Sequence, residues 1–249
     1  MGGAVVKILM IDIETAPHKV YAWGLFDQRI ATNQIVEPGY TLCYAAKWYG
    51  EREMMFESVH KSKPQTMLKR VHALLSEADA VCHYNGATFD IPTLIGEFMF
   101  NHMKPPAPFR QIDLLRTMRK ARIASRKLDY VAQRMGIGRK TEHKGMPLWT
   151  ACMDGDAAAW KLMEKYNRQD VTLLEELYME ILPWIPNHPN RNNYGEAHAC
   201  PKCGSEKHQR RGYAVTTTRR YARMQCLGCG AWFRSTDCEP GRAAYVSAA

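Results

Sequence analysis

Apolar and polar positions follow two rhythms along this chain, and the changes of rhythm predict its elements. Residues 5–11 are apolar except at Lys7, which predicts a buried first strand. The segments TLCYAAKWYG (41–50) and REMMFES (52–58) predict a hairpin around Gly50. Met67, Leu68, Val71, Leu74 and Leu75 recur at helical spacing within 64–77. AVCHYN (80–85) predicts a short strand, and Asp90 opens a helix with Pro92 in its first turn. The PPAP of 105–108 is a loop before a strand at 110–114, and helices are expected at 114–122, 127–135, 156–165 and 166–182. Strands first, then helices alternating with strands, argue for an α/β sandwich with a mixed sheet. Residues 183–199 hold three Pro and four Asn with few apolar positions, the composition of a linker. The expected organisation is therefore a domain at 1–182, a linker at 183–199 and a small β-rich module at 200–249.

At 249 residues and 46% hydrophobic, the chain has material for one sizeable core and a small appendage. Acidic residues interrupt the first apolar run, so it does not read as a secretory signal. No apolar stretch approaches the ~20 residues needed to span a bilayer. The expectation is a cytoplasmic protein with no membrane partner. The net charge of +9 is concentrated: residues 116–144 hold ten Lys/Arg against two acids, and 198–249 hold nine against three. Two such blocks suggest a polyanion partner. Arg122, Arg126, Lys127, Arg139 and Lys140 are the candidates for phosphate contact in the first block.

The candidate chemistry lies in four acids and one tyrosine: Asp12 and Glu14 in ILMIDIETAP, Asp90 in HYNGATFDIP, and Tyr166 with Asp170 in KYNRQDV. Side chains two apart on a strand share a face, so Asp12 and Glu14 meet one site. Adjacent like charges repel unless a cation lies between them, and Mg²⁺ takes oxygen ligands of this kind. Tyr166 and Asp170, four apart at helical spacing, stack on one helix face. Phosphodiester hydrolysis needs a nucleophile, stabilisation of charge and help for the leaving oxygen; two metal ions about 3.5–4 Å apart supply all three. Asp113 in RQIDLLR is expected to cap a helix, and His83 to be a strand-end histidine.

These motifs resemble the DEDD superfamily of 3′→5′ exonucleases, DnaQ-like proteins built on a ribonuclease H-like mixed sheet flanked by helices. DIET at 12–15 (Asp12, Glu14) matches the first motif. Asn85 with Phe89-Asp90-Ile91-Pro92 matches the second, in a form similar to the proofreading domain of family B DNA polymerases. Tyr166-x3-Asp170 matches the third in its tyrosine version; the histidine version would need His where Lys165 stands. The resemblance covers roughly 5–182. It implies that Asp12 bridges two Mg²⁺ or Mn²⁺ ions, that Glu14 and Asp170 complete the nucleophile-side ion, that Asp90 holds the other partly through water, and that Tyr166 orients the attacking water. It implies single-stranded nucleic-acid ends as substrate, with DNA favoured over RNA. Asn85 either positions substrate or caps a turn. Lys127-Leu128-Asp129-Tyr130 is similar to a segment between the second and third motifs of polymerase exonuclease domains. The alternatives are an RNA 3′-end exonuclease and a non-catalytic nucleic-acid-binding adaptor on a nuclease fold.

Cys200, Cys203, Cys226 and Cys229 form CPKC–x22–CLGC, each pair followed by Gly. Four thiolates in tetrahedral array suit a structural Zn²⁺, and two disulfides are disfavoured without an export signal. The β-branched and aromatic residues between the pairs make the module resemble a zinc ribbon. Its arginines and aromatics, Arg219 and Arg220 among them, suit phosphate contact and base stacking, whereas a docking tab for protein is the bland reading. Cys43, Cys82 and Cys152 are expected as packed thiols and Cys238 as an exposed or weakly packed one.

Overall fold

The computed structural model describes residues 6–195 and 198–240. Its elements are β1 (Ile8–Thr15), β2 (Lys19–Val20), β3 (Ile35–Glu37), β4 (Thr41–Trp48), β5 (Met55–Ser58), α1 (Pro64–Glu77), β6 (Ala80–His83), α2 (Asp90–Phe100), β7 (Arg110–Asp113), α3 (Leu114–Met118), α4 (Leu128–Met135), α5 (Met146–Met153), α6 (Ala157–Ile181), β8 (His208–Val215), β9 (Arg219–Cys226) and β10 (Trp232–Pro240). The chain divides into two compact units, one at 7–177 and the other from Tyr178 onward together with Val6.

The first unit is built on a five-stranded mixed sheet in the order β5-β4-β1-β6-β7. β4 runs antiparallel to both β1 and β5, while β6 runs parallel to β1 and β7. With β1 at its centre, the sheet is the ribonuclease H-like mixed architecture expected from the sequence. Alternation along β1 sorts its side chains. Leu9, Ile11 and Ile13 join a core with Met67, Leu68, Val71 and Leu75 of α1 and with Ile91, Leu94 and Phe98 of α2. Their buried apolar area, at roughly 25 cal/mol per Å², fixes β1 against these helices. Asp12 and Glu14 are thereby turned to the other face.

Several boundaries differ from the expectation, each for a physical reason. β1 continues to Thr15, because Asp12 and Glu14 break the apolar pattern but not the pairing: Asp12 lies opposite Ala45 and Glu14 opposite Cys43 on β4. The two helices expected at 156–165 and 166–182 are one helix of 25 residues, with neither Gly nor Pro in it to break it. α5 has no counterpart in the expected elements; it is short and apolar on most sides, so it offers no helical period. α3 ends at Met118.

The second unit contains the three-stranded antiparallel sheet β10-β9-β8. The stretch expected as a linker holds two short 3-10 turns, Leu182–Trp184 and Arg191–Asn193. It is bonded to the cysteine-bearing turns, since the Arg191 N–H donates to the Pro201 carbonyl (2.9 Å) and Asn192 Nδ2 donates to that of Ala199 (2.9 Å).

Candidate active site

The third-motif helix meets the carboxylates of β1. Carboxylate oxygens of Asp12, Glu14 and Asp170 all lie within 4.8 Å of one another. Asp12 and Glu14 are half-buried, whereas Asp170 is 1% exposed. Asn167 on the same face of α6 pins Asp12, its Nδ2 donating to Asp12 Oδ2 (2.6 Å) and to the Asp12 carbonyl (3.2 Å). Trp149, from α5, approaches Glu14 and opposes its upward pKa shift.

Asp90 stands at the first turn of α2, 4% exposed, and its Oδ1 accepts from the Ile13 N–H (3.1 Å). β6 pairs with β1 only over Ile8–Met10, and the Ile13 N–H beyond that stretch goes to Asp90. The second motif is thus tied to the first through backbone, while its carboxylate remains outside the 4.8 Å group. Asn85 adopts a left-handed conformation (φ 69°) in the turn before α2. Its N–H donates to Asp113 Oδ1 (3.0 Å), and its side-chain oxygen accepts from the Thr88 hydroxyl (2.9 Å). Asp113 caps α3 through Leu115 N–H (3.0 Å), as expected. His83 is buried, bonded to Gln111.

Lys140 is the cation nearest the carboxylates. Its ammonium donates to Asp170 Oδ2 (2.5 Å) and to the Tyr166 hydroxyl (3.1 Å). Its backbone N–H is held by Asp129 Oδ1 in the first turn of α4 (2.9 Å), so the Lys-Leu-Asp-Tyr segment acts here through its aspartate. His143 and Trp149 pack edge-on against Tyr166, with ring centroids 4.8 and 6.0 Å away. Part of the basic block is therefore built into the site. Arg122, Arg126 and Lys127 are exposed on the loop before α4, which is tied to the second motif where the Tyr84 hydroxyl donates to the Arg126 carbonyl. Beside the first two motifs opens a groove of about 910 Å³, lined by Thr15, His18, Tyr40, Phe89 and Phe100 among others.

Burial and mutual repulsion hold these acids toward their protonated forms. Asp12 is raised well above the usual carboxylate range by desolvation, then by Glu14, Asp170 and Asp90. Burial, then Asp170, pushes Glu14 up to about 8, and burial pushes Asp90 up to about 6. Desolvation raises Asp170 as well, against the pull of Lys140. Burial lowers Lys140, but Asp170 and Tyr166 outweigh it and the net shift is upward. Tyr166 is raised by burial and by Asp170, so its hydroxyl keeps its proton.

These residues fit a divalent cation. Asp170 Oδ1 is buried without a hydrogen-bond partner, an acceptor left open beside two further carboxylates. The electrostatics also fix a pH dependence. A folded-state pKa of about 8 for Glu14, against an ordinary 4.5, means that the folded chain keeps a proton the unfolded chain has released. Stability from this group is full below about pH 4.5 and is lost as pH rises through about 8. Without added divalent ion, the melting temperature is expected to fall between pH 6 and 8.5. Mg²⁺, binding only the folded state, should restore more at pH 8.5 than at pH 6. Glu14→Gln should flatten both trends, and equal pH profiles for wild type and variant would refute the coupling.

The second unit holds a separate thiol cluster. The sulfurs of Cys200, Cys203, Cys226 and Cys229 lie within 4.8 Å of one another. All are free thiols, with Cys200–Cys229 sulfurs 3.8 Å apart and Cys203–Cys226 sulfurs 3.5 Å apart. Tetrahedral Zn–S bonds of about 2.3 Å place sulfurs about 3.8 Å apart, so the cluster fits a zinc ion. Gly204 (φ 76°) and Gly230 (φ 79°) supply the left-handed turn after each pair. The N–H groups of Gly228 and Cys229 point at Cys226 Sγ (3.3 and 3.4 Å). Burial raises the Cys226 thiol, but these N–H groups and the neighbouring thiols outweigh it and bring it to about 7. Cys43, Cys82 and Cys152 are buried and Cys238 exposed, as expected. No helix among the described residues is long and apolar enough to cross a membrane.

No curated protein matches this chain. Among solved structures it is similar to the family B DNA polymerase of the hyperthermophilic archaeon Pyrobaculum calidifontis, with a TM-score of 0.55 and 16% identity over 72% of this chain. The match takes in 25% of the polymerase, so this chain corresponds to a quarter of that protein's length. A family model described as RNase_H superfamily matches residues 9–182, which contain all of the five-stranded sheet but its first residue and all of the clustered carboxylates. That match takes in more than half of the chain, and the strand order agrees with it: the chain belongs to the RNase_H superfamily.

Proposed function

We propose that the protein is a metal-dependent nuclease of the tyrosine-type DEDD class, removing nucleotides from the 3′ ends of single strands. The observation that carries this reading is the convergence of Asp12, Glu14 and Asp170 within 4.8 Å around a partnerless Asp170 oxygen. Two Mg²⁺ or Mn²⁺ ions held there supply the charge that a phosphodiester hydrolysis needs on its nucleophile and leaving group. Asp12, Glu14 and Asp170 hold them, with Asp90 completing the set from the start of α2. Asn167 fixes Asp12, so this carboxylate meets the ions without losing side-chain freedom at each turnover. The Tyr166 hydroxyl orients the attacking water as a neutral donor. Lys140 balances the carboxylate charge and stands ready for the scissile phosphate. Asn85, Arg122, Arg126 and Lys127 steady the strand, and the groove beside Phe89 receives its terminal bases. Catalysis resides in residues up to 182, 183–199 serve as a linker, and the described residues from Cys200 onward form a zinc ribbon. The protein acts on DNA within the cytoplasm.

Single-stranded DNA and RNA labelled at either end, incubated with Mg²⁺, Mn²⁺ or EDTA, test this. 5′-labelled DNA is expected to shorten stepwise, 3′-labelled DNA to release label as mononucleotide at once, and EDTA to stop both. Internal cuts or 5′ release would overturn the polarity, and faster loss of RNA would favour the RNA exonuclease. Binding without cleavage under every ion would favour the adaptor.

A further inference from the structure

The ribbon's six arginines in β8, β9 and β10 divide between the two faces of its sheet, and the division is electrostatic. Opposed residues in an antiparallel pair share a face. On one face Arg220 lies opposite Glu239, Arg210 opposite Met224 and Tyr213 opposite Ala222. Glu239 pairs with both Arg210 (3.0 Å) and Arg220 (2.8 Å), and both guanidinia also lie over the Tyr213 ring. Phe233, opposite Met224, packs from this side against the cysteine cluster. These two arginines are structural: they share one carboxylate, which offsets one of their two charges, and both are held over the same ring. Arg219 and Arg220, a pair in the sequence, therefore face opposite ways.

The other face carries Arg219, Tyr221 and Arg223 of β9 with Trp232 and Arg234 of β10, and Arg211 beside them at the β8 bulge. All four arginines are exposed, and none has an ion-pair partner among the described residues. Two are held by stacking: Arg234 lies 3.8 Å above the Tyr221 ring and Arg223 lies 5.3 Å above Trp232, which is itself 52% exposed. The Arg223 Nε is further fixed by the Arg211 carbonyl (2.9 Å). Stacking pre-organises guanidinia that would otherwise pay side-chain entropy on meeting a ligand. A row of unneutralised arginines beside exposed rings matches a chain of phosphates with unpaired bases.

We infer that this face, Arg211, Arg219, Arg223 and Arg234 with Tyr221 and Trp232, binds single-stranded nucleic acid. The opposite face, closed by Glu239, takes no part. The inference deepens the nuclease reading, in which the strand bound here is the substrate, but its binding test stands apart from cleavage.

The test uses the full chain carrying Asp12→Asn to prevent cleavage, and measures thirty-nucleotide oligothymidylate binding by anisotropy across a KCl series. The combined change R211A/R223A/R234A is expected to weaken binding at least tenfold. It should also reduce the slope of log K against log salt by about 2, since each single-strand phosphate contact contributes roughly 0.7. R210A/R220A, which removes arginine from the closed face instead, should leave the slope unchanged. If the triple variant loses its zinc, the single changes Arg223→Ala and Arg234→Ala decide, each with an expected slope loss of about 0.7. An unchanged slope in the open-face variants, or an equal loss from the closed-face pair, would overturn the inference; the first result would reserve the ribbon for a protein partner. In the otherwise wild-type chain, trinucleotide hydrolysis should survive the open-face changes, which separates failure here from failure of the nuclease reading.

Discussion

Asp12→Ala is expected to abolish cleavage, with turnover falling roughly 10³-fold or more, the several kcal/mol of barrier that a lost metal ligand costs. Asp12 sits at the centre of the site: it repels Glu14, Asp170 and Asp90, and it is the carboxylate that Asn167 anchors. Its removal relieves that repulsion, while Asn167 keeps its bond to the residue-12 carbonyl. The metal-free variant should therefore melt at the wild-type temperature or above it. Lost activity in a chain at least as stable is the signature of a catalytic carboxylate, because a core residue would lose both together. Tyr166→Phe gives the graded comparison. It keeps the ring packed against His143 and Trp149 and loses only the hydroxyl, so a fall of roughly 10- to 1000-fold is expected. Wild-type turnover in the Asp12 variant would sink the assignment, and a Tyr166→Phe chain as fast as wild type would make Tyr166 a packing residue.

What could be read from the sequence was what local spacing determines. Asp12 and Glu14 share a face because a strand alternates, and Tyr166 and Asp170 share one because a helix turns in 3.6 residues; no tertiary knowledge is needed for either. The same holds for the two CxxC turns. The partners across the fold were not legible. Lys140 lay in a charge run that reads as a solvated face or a phosphate track, and its attachment to Asp170 depends on Asp129 holding its backbone eleven residues away. Asn167 had a usable signal, since it stands three residues before Asp170 in the helix and its amide can reach a carboxylate on the strand beneath; a polar residue 0% exposed needs such a partner. Trp149 had none, because α5 shows no period and its approach to Glu14 depends on tertiary packing. The split of the ribbon arginines was hidden for a related reason. Simple alternation separates Arg219 from Arg220, but the Glu239 that pairs with both arginines of one face comes from another strand, and a bulge in β8 shifts the register between Arg210 and Tyr213.

Cys226→Ser is expected to remove the metal and unfold the ribbon while sparing the first unit. The ribbon's buried cluster consists of Cys200, Cys226 and Ala231, with Cys203, Cys229 and Phe233 packed against it. That apolar area is too small to offset the ordering entropy of some forty residues at about 1.5 kcal/mol each, so folding is expected to depend on a bound metal, which contributes about 10–16 kcal/mol in comparable structural zinc sites. Of the four thiols, Cys226 is the one whose loss is expected to cost most. It is 1% exposed and brought to about 7 by the Gly228 and Cys229 N–H groups, which favour the thiolate a metal needs. A serine hydroxyl there stays protonated and offers a hard, shorter donor. Elemental analysis should find about one zinc per wild-type chain and far less in the variant. Brief trypsin treatment should then cut at Arg210, Arg211, Arg219, Arg220, Arg223 and Arg234 and leave a stable fragment holding the five-stranded sheet. Because the carboxylates take harder ions than a thiolate site does, that fragment should still hydrolyse trinucleotides with Mg²⁺. Full zinc content and an uncut ribbon in the variant would mean that the four thiols pack without a metal, and the zinc assignment would fall.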